Sequence, residues 1–254
     1  MKMLRNYYER RARNMNTLKA TYLSKGVGGV FYRYRADRVM SVLINILTKE
    51  KSRKSSFWKI LDIGCGGGYY TKKLQNLGYT TIGLDFSITY LQLAKEYCGD
   101  GTFVNGDAEQ LPFRSGSFNL ALCSEVLEHL KNPDNCLKEI SRILSREGML
   151  VVTSPMKYAL MEIFARKRDP EHNIQHINVL TFKEFMAKPS QEFIVLKCEA
   201  ILFIPLHTFT LFLWIKPKLI SIIDNVLSKI KFLRNFSWCV ICVCRKKDGL
   251  FAYE

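Results

Sequence analysis

Strand-like and helix-like segments alternate along residues 58–154. Short apolar runs such as "KILDI" and "TTIGLD" are each followed by a segment with apolar residues at three- and four-residue spacing, such as "YYTKKLQNLG" and "ITYLQLAKEY". This alternation with short connections is typical of a parallel sheet covered by helices on both faces. Two later strands, around residues 192–204 and 236–245, are predicted to form an antiparallel pair at one edge. We therefore expect an α/β fold with a doubly wound, mostly parallel, seven-stranded, Rossmann-like sheet, an antiparallel edge strand and N-terminal helices.

The basic residues are concentrated outside this alternating region. Residues 1–58 contain 14 Lys and Arg against three Asp and Glu, a net charge of +11, whereas residues 59–153 contain 9 against 11, a net charge of −2. We interpret residues 1–57 as a basic helical segment and residues 58–254 as the core domain. A solvated helical face explains the basic excess most simply. Attraction to RNA or to an anionic membrane is the alternative.

No segment predicts insertion into a membrane or secretion. The longest apolar stretch, residues 200–215, contains Pro205 and His207 and is shorter than the roughly 20 residues that a membrane span needs. The charged N-terminus does not resemble a secretory signal. We expect a soluble, cytoplasmic protein whose eight cysteines are reduced core residues.

Four glycines stand among the five residues that follow Ile63 in "ILDIGCGGG". This stretch lies at the predicted turn from the first strand into the first helix of the core domain, where glycine lets the backbone turn and approach a ligand closely. The spacing G-x-G-x-G disfavours a dinucleotide, because that fingerprint requires a third glycine where Tyr69 stands. Asp62, Asp85 and Asp107 end the first three strands. Acidic side chains at successive strand ends predict a ligand site that includes a ribose.

Five segments together resemble the successive motifs of the class I S-adenosylmethionine-dependent methyltransferases. They are "ILDIGCGGG", "GLDFS", "GDAEQLPFRSGSFNL", "SEVLEHLKNPDNCLKEISRIL" and "GMLVVTSP", and they span roughly residues 58–187 with the segment that follows them. Two positions depart from the family pattern. Asn119 stands where the family usually has Asp, and residues 146–148 replace the usual Pro-Gly-Gly turn.

The resemblance implies S-adenosylmethionine as the cofactor. The glycine loop would cradle its methionyl part, Asp62 would help hold the amino group, Asp85 would hold the ribose, and Asp107 with the Ala108 backbone would bind the adenine. The cofactor-binding residues implied in this way are Asp62, Gly64, Cys65, Gly66, Gly68, Asp85, Phe86, Asp107, Ala108 and Ser124.

The acceptor is expected beyond the fourth strand, over "SEVLEHL". Glu125, Glu128 and His129 cluster there, in the sequence "EVLEH", which resembles the corresponding motif of the quinone-biosynthesis O-methyltransferases. Three interpretations stay open: a divalent cation held by this trio, a general base at His129, or a purely structural role. We favour His129 as the catalytic base and predict no metal. Residues 155–190 are the predicted substrate lid, with His172 and His176 as further candidates for the acceptor pocket.

The predicted function is transfer of a methyl group from S-adenosylmethionine to a small or lipid-like acceptor, on oxygen. Two alternatives remain: an RNA methyltransferase, which the basic N-terminal segment favours, and a protein that binds S-adenosylmethionine without catalysis. The N-terminal segment is also the predicted site of any peripheral contact with RNA or an anionic membrane.

Overall fold

The computed structural model describes residues 2–14, 27–51, 58–159, 176–201, 226 and 230–247. The strands are β1 (Lys59–Ile63), β2 (Thr80–Asp85), β3 (Thr102–Asn105), β4 (Phe118–Ser124), β5 (Leu144–Pro155), β6 (Phe193–Ile201) and β7 (Cys239–Lys246). The helices are α1 (Lys2–Asn14), α2 (Val27–Lys51), α3 (Tyr69–Asn76), α4 (Ile88–Cys98), α5 (Pro133–Ile143) and α6 (Phe182–Ala187). Short 3-10 helices span Leu127–His129, Pro189–Gln191 and Lys231–Phe236.

The seven strands form a single sheet in the order β3-β2-β1-β4-β5-β7-β6. The pairs from β3 to β5 are parallel, and β7 runs antiparallel to both β5 and β6. The predicted α/β fold with seven strands is therefore confirmed, including the antiparallel pair at one edge. The reversed strand is β7, which lies one position inside the edge strand β6.

Helices bury both faces of the sheet, as the apolar character of the central strands requires. One face packs Leu61, Ile63 and Val152 beneath α5 and α6. The other face packs Ile60 and Leu122 beneath α2 and α3. Helix α2 contributes the fully or nearly fully buried residues Ala36, Val39, Leu43 and Leu47 to this second face. The division of the chain at residue 57 stays a prediction, and α2 shares the core of the sheet that follows it.

The local departures from the family pattern have physical explanations. The Asn119 side-chain oxygen accepts a hydrogen bond from the Lys59 backbone N–H at 2.9 Å, which ties the start of β1 to β4. Residues 146–148, expected to form a turn, lie instead within β5, and the register between β4 and β5 shifts between Phe118 and Leu120 to accommodate them. The apolar run "GMLVVTS" predicts a fifth strand from residue 148, and β5 begins four residues earlier, at Leu144.

Two other expectations concern the cysteines and the C-terminal third. All eight cysteines are free, and strand alternation places Cys239 on the opposite face of the sheet from Cys242 and Cys244. The segment "KLISIIDNVLSKI" predicts a helix over residues 218–230, which falls outside the described residues except at positions 226 and 230, and His172 lies outside them as well. Among the helices that the structure describes, none combines the length and the apolar character needed to cross a bilayer.

Candidate active site

The predicted ligand residues gather at the carboxyl ends of the parallel strands. Asp62 lies in β1, Asp85 ends β2, Asp107 follows β3 and Ser124 ends β4. The strand order reverses between β1 and β4, and ligands of open α/β sheets bind at such a reversal. The sheet topology thus brings residues from four strands to one edge.

Three glycines of the loop between β1 and α3 have a left-handed backbone conformation. Gly64, Gly66 and Gly68 have φ values of 67°, 49° and 81°, which side chains other than glycine adopt only at a cost. Backbone N–H groups of Gly64 and Cys65 both donate to the Leu84 carbonyl, at 2.8 and 3.0 Å. These bonds dock the loop onto the end of β2.

The three glycines differ in what a side chain would meet. A Cβ on Gly64 would lie 2.5 Å from Val126, and one on Gly68 would lie 2.9 Å from the Cys98 sulfur, whereas one on Gly66 would have no atom within 4 Å. Gly64 and Gly68 are therefore required by packing inside the protein as well as by their backbone conformation. Only Gly66 borders open space of the kind that a ligand could fill.

Asp85 is a buried carboxylate that faces this open position. Its Oδ2 accepts the Gly66 N–H at 2.9 Å, and its Oδ1 accepts the Ser87 N–H at 2.9 Å. Burial, with a smaller contribution from the nearby Glu9 carboxylate, raises the pKa of Asp85 to about 6 against the lowering effect of the backbone hydrogen bonds. The Asp85 carboxyl therefore changes from mostly protonated to mostly ionised as the pH rises through about 6.

Asp62 and Cys65 point into the protein. The Asp62 Oδ2 accepts hydrogen bonds from both the backbone N–H and the hydroxyl of Thr71, at 3.1 and 2.7 Å. Burial raises the pKa of Asp62 to about 7. Cys65 is buried, and its sulfur would be 2.9 Å from a Cβ on Gly83. The hydrogen bonds of Asp62 therefore tie the end of β1 to the first turn of α3.

Asp107 shapes the turn after β3. Its Oδ1 accepts the Glu109 N–H at 2.8 Å, and the neighbouring Ala108 is buried. Asn105, which the sequence did not single out, donates from its side-chain amide to the carbonyls of Asp85 and Phe86 at 3.1 and 3.0 Å. This amide links the ends of β2 and β3 and so sets the spacing between the predicted ribose and adenine residues.

Glu125, Glu128 and His129, which follow β4, have different contacts. Glu125 pairs with Arg35 of α2, with Nη1 2.6 Å from Oε2. Glu128 is buried with neither carboxyl oxygen hydrogen-bonded to a described residue, and His129 lies beside it, with Nε2 3.8 Å from Oε1. Burial, assisted by the Glu125 charge, raises the pKa of Glu128 well above its usual range. Among the described residues, no group of three or more His, Cys, Asp and Glu side chains is arranged to hold a metal ion.

Helix α1 lies across the predicted site. The Tyr8 ring contacts the rings of Phe86 and His129 edge-on, at centroid distances of 5.4 and 5.6 Å. Glu9 accepts the Ile88 N–H at 3.0 Å, at the start of α4. Sequence reasoning missed both residues because "NYYERR" carries no motif, and only the packing of α1 on α4 reveals them.

The acceptor side is closed by the segment before α6. The His176 ring lies 4.9 Å from the His129 ring, and the Asn178 N–H donates to the Glu128 carbonyl at 3.0 Å. Ser124, which is predicted to contact the cofactor, has its hydroxyl 3.1 Å from that of Thr153. The structure therefore brings the rings of His129 and His176 together, and their place in an acceptor pocket stays a prediction.

These features suit a nucleoside ligand with a charged amino-acid part. Ribose hydroxyls are hydrogen-bond donors for a carboxylate such as Asp85, and the bare backbone of Gly66 leaves room for atoms that a Cβ would exclude. The residues present at the loop thus fit the S-adenosylmethionine that the sequence resemblance implies.

Comparisons with known proteins match parts of the chain to methyltransferases. Residues 61–152 match the family described as "Methyltransferase domain". The chain is 30% identical over 125 residues to a malonyl-[acyl-carrier protein] O-methyltransferase of Buchnera aphidicola, covering 49% of this chain and 51% of the relative. It is 27% identical over 106 residues to a ubiquinone biosynthesis O-methyltransferase of Glaesserella parasuis, covering 38% and 44%. The chain spans about half the length of the curated relatives that it matches.

Solved structures share the fold over more of the chain. A chain from the complex between the Haloferax volcanii Trm112 methyltransferase activator and a methyltransferase superposes with a TM-score of 0.65 at 18% identity, covering 96% of this chain and 97% of that one. A SAM-dependent methyltransferase from Archaeoglobus fulgidus superposes with a TM-score of 0.54 at 18% identity, covering 80% and 94%. At these identities the likeness concerns the fold alone.

Proposed function

We propose that this chain, which resembles the class I S-adenosylmethionine-dependent methyltransferases and matches the methyltransferase-domain family over residues 61–152, methylates an oxygen atom of a small or lipid-like acceptor. S-adenosylmethionine is the methyl donor that the family implies. One observation carries the proposal: Gly66 borders open space at the strand-order reversal, directly beside the buried carboxylate of Asp85. Two of the relatives are O-methyltransferases, which supports oxygen as the acceptor atom.

For donor binding, we assign roles to Asp62, Gly66, Asp85, Asp107 and Ala108. Asp85 would accept hydrogen bonds from the ribose hydroxyls, and the Gly66 backbone would lie against the methionyl part. Asp62 acts one step away, because its bonds to Thr71 fix the first turn of α3. The turn that contains Asp107 and Ala108 would border the adenine. When bound, S-adenosylmethionine supplies a methyl group on a positively charged sulfur, and the protein contributes alignment and exclusion of water.

The acceptor side assigns proton removal to His129. A hydroxyl acceptor becomes a better nucleophile when a base takes its proton, and the His129 ring is on the same edge of the sheet as the glycine loop. The raised pKa of Glu128 favours its neutral, protonated form, so this carboxyl does not add a negative charge that would hold a proton on the imidazole. The ion pair of Glu125 with Arg35 withdraws one member of the trio. Both facts support the base interpretation of the trio over the metal interpretation.

We expect donor affinity to depend on pH through Asp85. Ribose hydroxyls bind the ionised carboxylate better than the protonated one, so binding would favour proton release. Because the pKa of free Asp85 is about 6, affinity for S-adenosylmethionine should be constant well above pH 6 and fall as the pH is lowered through 6. Calorimetry between pH 5 and 8 measures this dependence.

The Asp85→Asn variant is the matched control for this titration. It should bind S-adenosylmethionine about tenfold or more weakly at neutral pH, because a charge-assisted hydrogen bond contributes about 1.5–3 kcal/mol. Its affinity should also lose the component that titrates near pH 6. Equal pH profiles for the wild type and the variant would remove Asp85 from the ribose site.

The acceptor class is tested directly by product analysis. The purified chain would be incubated with methyl-labelled S-adenosylmethionine and panels of hydroxylated aromatics, carboxylic acids bound to acyl carriers, amines and RNA. We expect label in an O-methyl product of one of the first two classes. Label only in RNA or on nitrogen would contradict the proposed acceptor, and tight donor binding without label in any class would indicate a binding protein without catalysis.

Residues 1–57 are proposed as the contact for any anionic partner, with cytoplasmic location kept as a prediction. The charge of +11 on residues 1–58 supports this proposal. If the contact exists, retention on anionic vesicles or RNA should fall steeply between low and high salt as counterions are released. Co-sedimentation and gel shifts measure it. A lack of retention on both at low salt would leave the basic residues as a solvated surface.

A further inference from the structure

A buried ion pair joins helix α2 to the turn after β4. The Arg35 Nη1 lies 2.6 Å from the Glu125 Oε2, and the two side chains are only 7% and 17% exposed. The guanidinium also lies over the rings of Tyr32 and Trp238, each at 5.3 Å from the ring centroid. Burying two charges costs desolvation energy that their attraction does not always recover. The pair therefore calls for a role other than simple stabilisation.

Glu125 has an unusual backbone conformation. Its φ of 56° makes it the one non-glycine residue with positive φ in the described part of the chain. Such strain persists where the surroundings over-determine it, and it clusters at functional sites. Here the surroundings do so: the Glu125 N–H donates to the Thr153 hydroxyl at 3.1 Å, and that hydroxyl lies 3.0 Å from the Glu125 Oε1. Arg35 holds the other carboxylate oxygen.

The strained turn carries the residues that shape both halves of the site. Val126 follows Glu125 and packs directly on Gly64, where a Cβ would approach it to 2.5 Å. The His129 N–H donates to the Val126 carbonyl at 2.9 Å, which starts the 3-10 helix that presents the imidazole. A change in the conformation of Glu125 would therefore displace the glycine loop and the candidate base together.

We infer that Arg35 is a positioning residue for methyl transfer: through its ion pair it holds Glu125 in the left-handed conformation that sets Val126 against the donor loop and aims His129. This inference rests on the proposed function for its consequence in donor binding. Arg35 lies outside the segment that matches the family, on a helix that the sequence assigns to a basic N-terminal segment. Its role is to supply from α2 the cation that fixes the turn after β4.

Three variants separate this role from charge balance. Arg35→Met keeps the apolar stem but leaves Glu125 as an unpaired buried carboxylate. Arg35→Met with Glu125→Gly removes that carboxylate and also lets residue 125 adopt positive φ without a Cβ clash. Arg35→Met with Glu125→Ala removes the carboxylate but keeps the clash. The two double variants thus differ only in one methyl group at a position whose φ is 56°.

We expect Arg35→Met to lower the unfolding temperature and to weaken S-adenosylmethionine binding at least about tenfold. The glycine double variant should recover most of the donor affinity. It should also unfold at a higher temperature than the alanine double variant. The alanine double variant should stay about tenfold weaker in donor binding, because the left-handed conformation is costly for a residue with a Cβ. Calorimetry and thermal unfolding of the full chain measure both quantities.

Equal behaviour of the two double variants would overturn the inference, since the ion pair would then only balance charge. Failure of the glycine variant to recover, including failure to fold, would overturn it as well, and so would unchanged donor affinity in Arg35→Met. If the wild type does not bind S-adenosylmethionine, the proposed function fails instead. The difference in unfolding temperature between the glycine and alanine variants still tests the conformational role in that case.

Discussion

Replacing Gly66 with valine is expected to abolish S-adenosylmethionine binding while the chain stays folded. A Cβ at this position would meet no protein atom within 4 Å, so the branched side chain would fill the space proposed for the donor. The φ of 49° adds a backbone cost of about 1–3 kcal/mol, which most folded domains tolerate. Calorimetry should show a loss of binding of more than about a hundredfold, and circular dichroism should show a retained fold.

Two other glycines supply the controls for this result. Gly78 also has positive φ, 86°, and open space at its Cβ position, but it lies between α3 and β2, at the amino ends of the strands. Gly78→Val should carry a comparable backbone cost and keep donor binding. Gly68→Val should instead disturb folding, because its Cβ would press on Cys98 and Ala94. Donor affinity in Gly66→Val equal to that in Gly78→Val would mean that the donor does not lie against the loop.

The second large effect is expected at His129. His129→Ala should lower the rate of methyl transfer by about 10²–10⁴, measured in single turnover on the acceptor found by product analysis. Donor affinity should change little, because the imidazole belongs to the acceptor side of the site. Near-full turnover in this variant would leave alignment alone to account for catalysis.

Glu128→Gln is the matched control for the His129 variant. The raised pKa of Glu128 favours a neutral carboxyl, so a neutral amide of the same shape should keep most of the activity. A cation held by this trio would require the ionised carboxylate. Loss of activity in Glu128→Gln together with sensitivity to a chelator would therefore restore the metal interpretation.

Periodicity and strand-end residues were sufficient to predict the sheet and to place Asp85 next to the glycine loop. The alternation along residues 58–154 requires a parallel sheet, and Asp85 could be placed beside the glycine loop because parallel strands end at one edge. The sequence did not reveal that Gly64 and Gly68 are needed for contacts with Val126 and Cys98. Those contacts join segments 30 or more residues apart, and no local pattern records them.

The trio after β4 shows the same limit from the other side. The letters "EVLEH" suggest that Glu125, Glu128 and His129 act together, but side-chain direction depends on the backbone conformation of Glu125. Its positive φ and its pairing with Arg35, 90 residues earlier, could not be predicted from spacing. Neighbouring positions in the sequence therefore suggested a single group, whereas in the fold the Glu125 side chain contacts Arg35 and the His129 side chain lies beside Glu128.

The position of α2 in the core has a practical consequence for anyone preparing a shortened protein. A fragment that starts at residue 58 would contain every motif of the family, yet it would leave Ile60, Leu120 and Leu122 without the helix that covers them. Such a fragment would expose an apolar face of the sheet to solvent, and we expect it to aggregate during expression. The smallest unit that can be purified and screened for ligands should therefore begin before Val27.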